Sequence, residues 1–447
     1  MRRRRTTARS VLVLVAVALV AAGATDATAR PRPLPVAASA WGHLEEVLER
    51  SPAPEYRRYG SHGMAGVARY ARRVLDQAGY ATVELRTPAD RWRVDYAPGS
   101  EPLLERVDDG LRFLTESGFA LGATTGPAGI TCVVRRYDQV QPGECGYVPF
   151  AVASPEWKNI LAEGARSAVQ TIVARGGVGA VIEGDTARSA TIALRLALPI
   201  PSVVAVAAEP DVVGRVVRLR AMGGWEPATT HDVVGVRRPT VPGRGYVVLL
   251  AHADGWFAAA ADNGSGTAAA LRAAQLLATA APVGAGVLVA LVDGEEVGYI
   301  GVQGLMQALE SPAGLALPGG AVRIDEIESV VNLDAPSARA SDVGLPTPFS
   351  WRVLVHTADA LAVQGAALFT AGGVLGLPLE ASIANGINGG LDRTDARYFA
   401  ARGIPVVWPV TGYPEYHTSA DTLAAVDPVD LELVATAAAT VVRSFGA

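Results

Sequence analysis

In the second half of the chain, short apolar runs stop abruptly on residues able to bind metal or move protons, and few folds accommodate that. Residues 246–251 run into His252-Ala253-Asp254, and residues 287–292 into Asp293-Gly294-Glu295-Glu296. Residues 330–333 stop at Asp334. Residues 406–410 lead into a Tyr/Pro loop carrying Tyr416-His417-Thr418 and then Asp421-Thr422. β-Branched runs of this length read as buried strands, and residues 351–355 supply one more. Helical stretches fit 266–280, 301–309, 358–371, 394–401 and 429–444, the last opened by Asp427-Pro428, an N-cap followed by proline in the first turn. Strands alternating with helices from His231 onward predict an α/β fold, a mixed central sheet flanked by helices. In open sheets of this kind ligands bind beyond the carboxyl ends of the strands.

One pair of carboxylates on a loop is usually a solvated surface. Four successive strand ends that each supply His, Asp or Glu where the apolar run stops are poorly explained by solvation. Asp262-Asn263 follows His252 by ten residues and precedes a Gly-Ser-Gly turn. Taken alone, such a pair before a helix is more often a plain N-cap than part of a metal site. Three carboxylates and two imidazoles are nevertheless a mixed oxygen and nitrogen set that suits zinc. A shared carboxylate lets such a set hold two ions about 3.5–4 Å apart.

At 447 residues the chain is too long for one ordinary core, so it is expected to hold two folded units or one unit with an insertion. Half of it is apolar. Arg2 to Arg5, a twelve-residue apolar run at 11–22 and Ala27-Thr28-Ala29 form an export signal over residues 1–29, with cleavage after Ala29. The apolar run is short of the roughly 20 residues of a membrane span, so secretion without stable membrane association is expected. The formal charge is −5; residues 1–29 carry five Arg and one Asp, and the mature chain sits near −9. That charge argues against nucleic acid as a partner. Cys132 and Cys145 are the only cysteines, and in an exported chain such a close pair is expected to form a disulfide, worth about 3 kcal/mol for a loop of this length.

Ahead of the strand ends, a Pro-rich linker at 30–35 leads to a helix at 41–48, a loop at 56–63, an amphipathic helix at 64–78 and a strand at Ala81–Leu85. From about residue 122 the texture changes to short α and β segments: a helix ending at 174, strands at 178–182 and 203–206, and a helix from Pro210 to about Arg220. No catalytic cluster occurs there. We read 122–228 as a small α+β domain inserted between an N-terminal part, 30–121, and the catalytic part, 229–447.

In order and rough spacing, His-Ala-Asp at 252–254, Asp262-Asn263-Gly-Ser-Gly, Glu295-Glu296-Val-Gly, Asn332-Leu-Asp334, Thr394-Asp395 before Gly403-Ile-Pro405, and Tyr416-His417-Thr418 with Asp421-Thr422 resemble the M28 family of zinc peptidases. The resemblance covers most of residues 40–447, and the insert is similar to the protease-associated domain of many such enzymes. It implies two zinc ions per chain. His252 and Glu296 would hold faces of the site different from those held by Asp334 and His417, with Asp262 bridging. Asp254 would orient the His252 ring, and Glu295 would be the general base that takes a proton from the activated water and passes it to the leaving amine. Tyr416 would donate to the developing oxyanion. The implied activity is that of a secreted aminopeptidase acting on peptides with a free N-terminus.

Some positions depart from the family pattern. Ala261 replaces the first of two acidic residues, Val302 a small polar residue and Ala396 a histidine; the last two bear on pocket shape. His43, His62 and His231 read as surface or loop residues, and His356 as a strand-end residue without a partner. Two alternatives remain: a glutaminyl cyclase-like acyltransferase, whose relatives share the Asp-Gly-Glu-Glu phrase, and a metal-free binding protein on the same fold. The pocket walls are expected from loops near Trp256, Phe257, Tyr413 and Tyr416.

Overall fold

Continuous apolar strands, buried along their whole length, build the centre of this protein. A computed structural model describes residues 37–447 apart from 95–96, 117–122, 154–162, 187–188, 192–197, 281–283, 339–351, 357–382 and 385–392. The export signal, the Pro-rich linker and the expected helix at 358–371 lie outside the described residues. The main sheet has eight strands: β1 (Ala81–Leu85), β2 (Asp232–Arg237), β3 (Tyr246–His252), β4 (Gly286–Val292), β5 (Ile327–Asn332), β6 (Arg352–His356), β7 (Ile383–Ala384) and β8 (Val406–Val410). Their order is β1-β2-β4-β3-β5-β8-β6-β7. The central set β4-β3-β5-β8 is parallel, while β1, β2 and β6 join antiparallel. The sheet is mixed, as expected.

Because side chains alternate across a strand, β3 sends Val247, Leu249 and Ala251 to one face and Val248 and Leu250 to the other. The first face packs under α1 (Ala40–Glu49), α2 (His62–Gln77), α3 (Gly266–Thr279) and α5 (Pro428–Phe445). The second packs under α4 (Ile300–Glu310) through Val302, Leu305, Met306 and Leu309, together with Phe399 and Ala400. Helices therefore cover both faces, and the parallel strands point their carboxyl ends to one edge. The expected helix at 394–401 is shorter, Arg397–Ala400.

His43 is a correction. It lies on the buried face of α1, where Nδ1 meets the Tyr70 hydroxyl at 2.6 Å and Nε2 meets Gln275 Oε1 at 3.1 Å, joining α1, α2 and α3. Both ring nitrogens are satisfied, so the imidazole is accepted in the core. His231 is half-buried beside Glu84, His62 is exposed, and β6 ends at His356.

A second, seven-stranded sheet takes its strands from Leu103–Arg106 to Val216–Arg220 and buries its own core. It begins ahead of residue 122, because Leu103–Arg106 pairs with Val216–Arg220. The helix expected from Pro210 to Arg220 is also corrected: a single turn, Glu209–Val212, ends at Gly214, whose φ of 83° breaks it, and Val216–Arg220 continues as a strand with alternating burial. Cys132 and Cys145 are disulfide-bonded across this sheet, with Cα atoms 5.7 Å apart. The chain leaves the main sheet along Pro88–Val94 and returns along Gly223–Thr229, and these two segments pair as an antiparallel ribbon. Pro35–Ala447 is nonetheless one compact unit. Among the described residues, no helix is long and apolar enough to cross a membrane.

Candidate metal centre and catalytic residues

Each expected site residue sits just past an apolar strand or in a loop that other groups hold rigid. His252 is the last residue of β3, and its carbonyl accepts bonds from Asn263 Nδ2 at 3.2 Å and Thr267 Oγ1 at 3.0 Å. Asn263 Nδ2 also donates to the Leu333 carbonyl at 2.8 Å, while its Oδ1 accepts from Gly266 N at 2.9 Å and Ala335 N at 3.1 Å. Asn263 is thus both a cap for α3 and a clamp on the ends of β3 and β5. The Asp262 turn is held from the other side by Asp421, whose carboxylate accepts from the backbone of Ala261 at 2.8 Å and Asp262 at 3.1 Å and from the Tyr413 hydroxyl at 2.7 Å. Burial pushes Asp421 up to about 7.

The five expected ligands converge. His252 Nε2 lies 3.3 Å from Asp262 Oδ1 and 3.4 Å from Asp334 Oδ1. His417 Nε2 lies 3.2 Å from Asp262 Oδ2 and 3.4 Å from Glu296 Oε2. They form two buried groups, His252–Asp262–Asp334 and Asp262–Glu296–His417, with Asp262 common to both. The pairing differs from expectation: His252 goes with Asp334, and Glu296 with His417. β3 and β5 are hydrogen-bonded neighbours, which brings their two ends together.

These spacings are long for charge-assisted hydrogen bonds, which run about 2.7–2.9 Å. They match the edge of a tetrahedron around an ion with bonds near 2.0–2.1 Å, about 3.3 Å. Asp262 Oδ1 and Glu296 Oε1 are buried without a hydrogen-bond partner among the described residues. Buried orphans of this kind call for an explanation, and the donor set fits zinc.

Around this set stand further carboxylates. Asp254 accepts from the backbone N–H of Glu295 and of Glu296, both at 3.2 Å, and faces His252 Nδ1 at 3.4 Å. Trp256 Nε1 donates to Glu296 Oε2 at 2.7 Å. Burial drives Glu295 well above the usual carboxylate range, and Glu296, Asp395 and Asp334 push the same way against His252. Burial lowers His252 and His417, yet the carboxylates outweigh it: Asp254, Asp262 and Asp334 hold His252 well above an ordinary imidazole, and Glu296 and Asp262 bring His417 to about 10. Tyr416 stacks on the His417 ring with centroids 3.6 Å apart, and burial, then the neighbouring carboxylates, push its phenol well above its usual value.

Arg57 is a site residue the sequence did not reveal. Its fully buried guanidinium donates to the carbonyls of Ala258 and Ala259, pinning the loop that carries Trp256. It came within a stretch read only as a loop, and its partners lie about two hundred residues away. Of the expected pocket residues, Trp256 lines a cavity beside Glu296, Phe257 packs against the second sheet, and Tyr413 is buried against Tyr416 and Asp421. Val302 and Ala396 are buried in the core beneath the sheet, away from the cavity wall.

A three-layer α/β fold here gathers imidazoles and carboxylates at parallel strand ends, a donor set suited to holding metal. More narrowly, the chain carries a peptidase family M28 domain, matched over residues 232–442. Solved structures share the fold. A peptidase M28 precursor from Shewanella amazonensis is 17% identical, covering 92% of this chain and 93% of its own, with a TM-score of 0.67. BSAP, a zinc aminopeptidase from Bacillus subtilis, is 16% identical, covering 92% and 95%, with a TM-score of 0.64. An aminopeptidase from Aneurinibacillus sp. strain AM-1 is 16% identical, covering 91% and 93%, with a TM-score of 0.58. No curated protein matches the chain by sequence.

Proposed function

We propose that this peptidase is a secreted dinuclear zinc aminopeptidase that removes N-terminal residues from peptides. The spacing of 3.2–3.4 Å between each imidazole and its carboxylates carries the reading, because it suits ligands around an ion better than hydrogen-bonded partners. His252 and Asp334 would hold one ion, Glu296 and His417 the other, and Asp262 both. Zinc in such a site polarises the scissile carbonyl and lowers the pKa of water.

The chain's own residues do the rest. Glu295, kept basic by burial and neighbouring charge, accepts the proton of the attacking water and passes it to the leaving amine nitrogen. Tyr416, whose phenol stays protonated, donates to the carbonyl oxygen as negative charge builds there. Asp254 holds the His252 ring and fixes the backbone of both glutamates. The second sheet is assigned as a protease-associated-like insert. It grips two site loops: Phe257 packs into its core, and Thr191 and Ser419 exchange bonds of 3.1 and 3.0 Å.

The test is a metal count on protein recovered from the culture medium, alongside release of free amine from aminoacyl anilides. Two zinc ions per chain, an N-terminus following Ala29 and amine release are expected. Metal-free protein that hydrolyses none of the anilides overturns the reading.

A further inference from the structure

Beside Glu296, past the carboxyl ends of the strands, lies a cavity of about 190 Å³. Its wall comes from two places. Trp256 and Val297 belong to the metal-site loops and Ile300 opens α4, whereas Trp92 and Trp225 come from the ribbon that connects the two sheets, with Tyr59 alongside. Trp92 and Trp225 are directly opposed in the ribbon register and meet edge to face, with ring centroids 5.7 Å apart and planes at 77°. The Tyr59 hydroxyl donates to the Ala89 carbonyl at 3.1 Å, fastening the ribbon in place. Trp256 connects the cavity to the reaction centre, since the same indole donates to Glu296.

We infer that this cavity receives the side chain of the substrate's N-terminal residue and selects for an aromatic one, with Trp92 and Trp225 as the specificity-determining residues. This rests on the aminopeptidase reading above. An apolar cavity of about 150 Å³ holds a benzene ring, so this one has room for a ring and its methylene between its tryptophans, with Asp90 and Asp254 also on its wall. Aromatic rings set edge to face favour another ring over an aliphatic chain. Arg58 and Arg91 also line the cavity. Arg91 is paired with Glu226 at 2.7 Å, and Arg58 is also engaged. Guanidinium planes do stack on aromatic faces.

The experiment uses the mature full-length protein and Trp225→Ala. Trp225 is 58% exposed, so truncating it leaves the core untouched. Hydrolysis of Phe-, Tyr-, Leu-, Ala- and Glu-anilides is measured, and binding of L-phenylalanine and L-alanine is followed by calorimetry as a readout independent of turnover. We expect the Phe anilide to be preferred over the Ala anilide by at least about tenfold in kcat/KM, and Trp225→Ala to shrink that ratio, and the matching binding ratio, about tenfold. A Phe-to-Ala ratio near one, a preference for Glu, or a ratio unmoved by Trp225→Ala overturns the proposal. Aromatic binding selectivity without hydrolysis of any anilide refutes the aminopeptidase reading and leaves the cavity assignment standing.

Discussion

Glu295 and Glu296 are neighbours in sequence, yet their surroundings separate them. Glu296 is anchored by the Trp256 indole and faces His417, the position of a ligand. Glu295 is buried among carboxylates, which keeps its proton affinity high, the property a general base needs. Glu295→Gln is therefore expected to lower turnover by at least ~10²-fold while leaving metal content intact, and Glu296→Gln to lose metal. Metal loss in the first variant and retention in the second would reverse the two roles. Of the five residues that converge, His252, Asp262, Glu296 and Asp334 were legible because each stands at or just after the end of an apolar run or ahead of a helix, a break visible in one dimension, while His417 stands in the loop that follows β8. Their pairing was not legible, because it depends on β3 and β5 lying side by side. Arg57 and Asn263 were missed as clamps for a related reason: what they hold are backbone carbonyls and amides, which carry no sequence signature.

At the scale of elements, the strands of the main sheet were readable from β-branched apolar runs, and β8 matches its expected bounds. Residues 210–220 were misread because Pro at a first turn resembles a helix start, while the alternation that marks Val216–Arg220 spans only five residues. His43 escaped because a polar residue on an apolar helix face gives no sign of its partners. Burial lowers its pKa from 6.5 to about 4, with Arg272 adding to the drop and Gln275 and Glu432 opposing it. A folded-state pKa below the unfolded one means stability that is full above pH 6.5 and lost as pH falls through 4, on the order of 3 kcal/mol at most. His43→Gln keeps an amide able to bond Tyr70 and Gln275 but cannot titrate. In urea unfolding it should be the less stable protein at pH 7, with the gap narrowing from pH 6.5 to 4. A gap that stays constant over that window excludes His43 as a source of acid lability at the α1–α2–α3 junction.

Across the whole molecule, both sheets border the candidate metal centre: the second sheet grips the loops around Phe257 and Ser419, and the ribbon walls the cavity next to Glu296. The remaining choice is between a peptidase and a cyclase on this architecture. A peptidase must make a nucleophile from water, and two ions joined by one carboxylate lower its pKa together. A cyclase needs no water, since the substrate's own amine attacks its side-chain amide and one ion suffices to polarise that carbonyl. Here His252 and Asp334 form one group with Asp262, Glu296 and His417 form a second with the same Asp262, and Asp254 lies at 3.4 Å from the other ring nitrogen of His252. In a one-ion enzyme one of these groups, with its buried and incompletely bonded polar atoms, would have no function. We therefore expect His252→Ala to bind one zinc ion instead of two and to lose on the order of 10–100-fold or more in anilide hydrolysis, a loss of a ligand costing no less than that of its supporting shell. Wild-type protein should not convert N-terminal glutaminyl peptides to pyroglutamyl products. One ion per wild-type chain together with efficient pyroglutamyl formation would assign the cyclase chemistry instead.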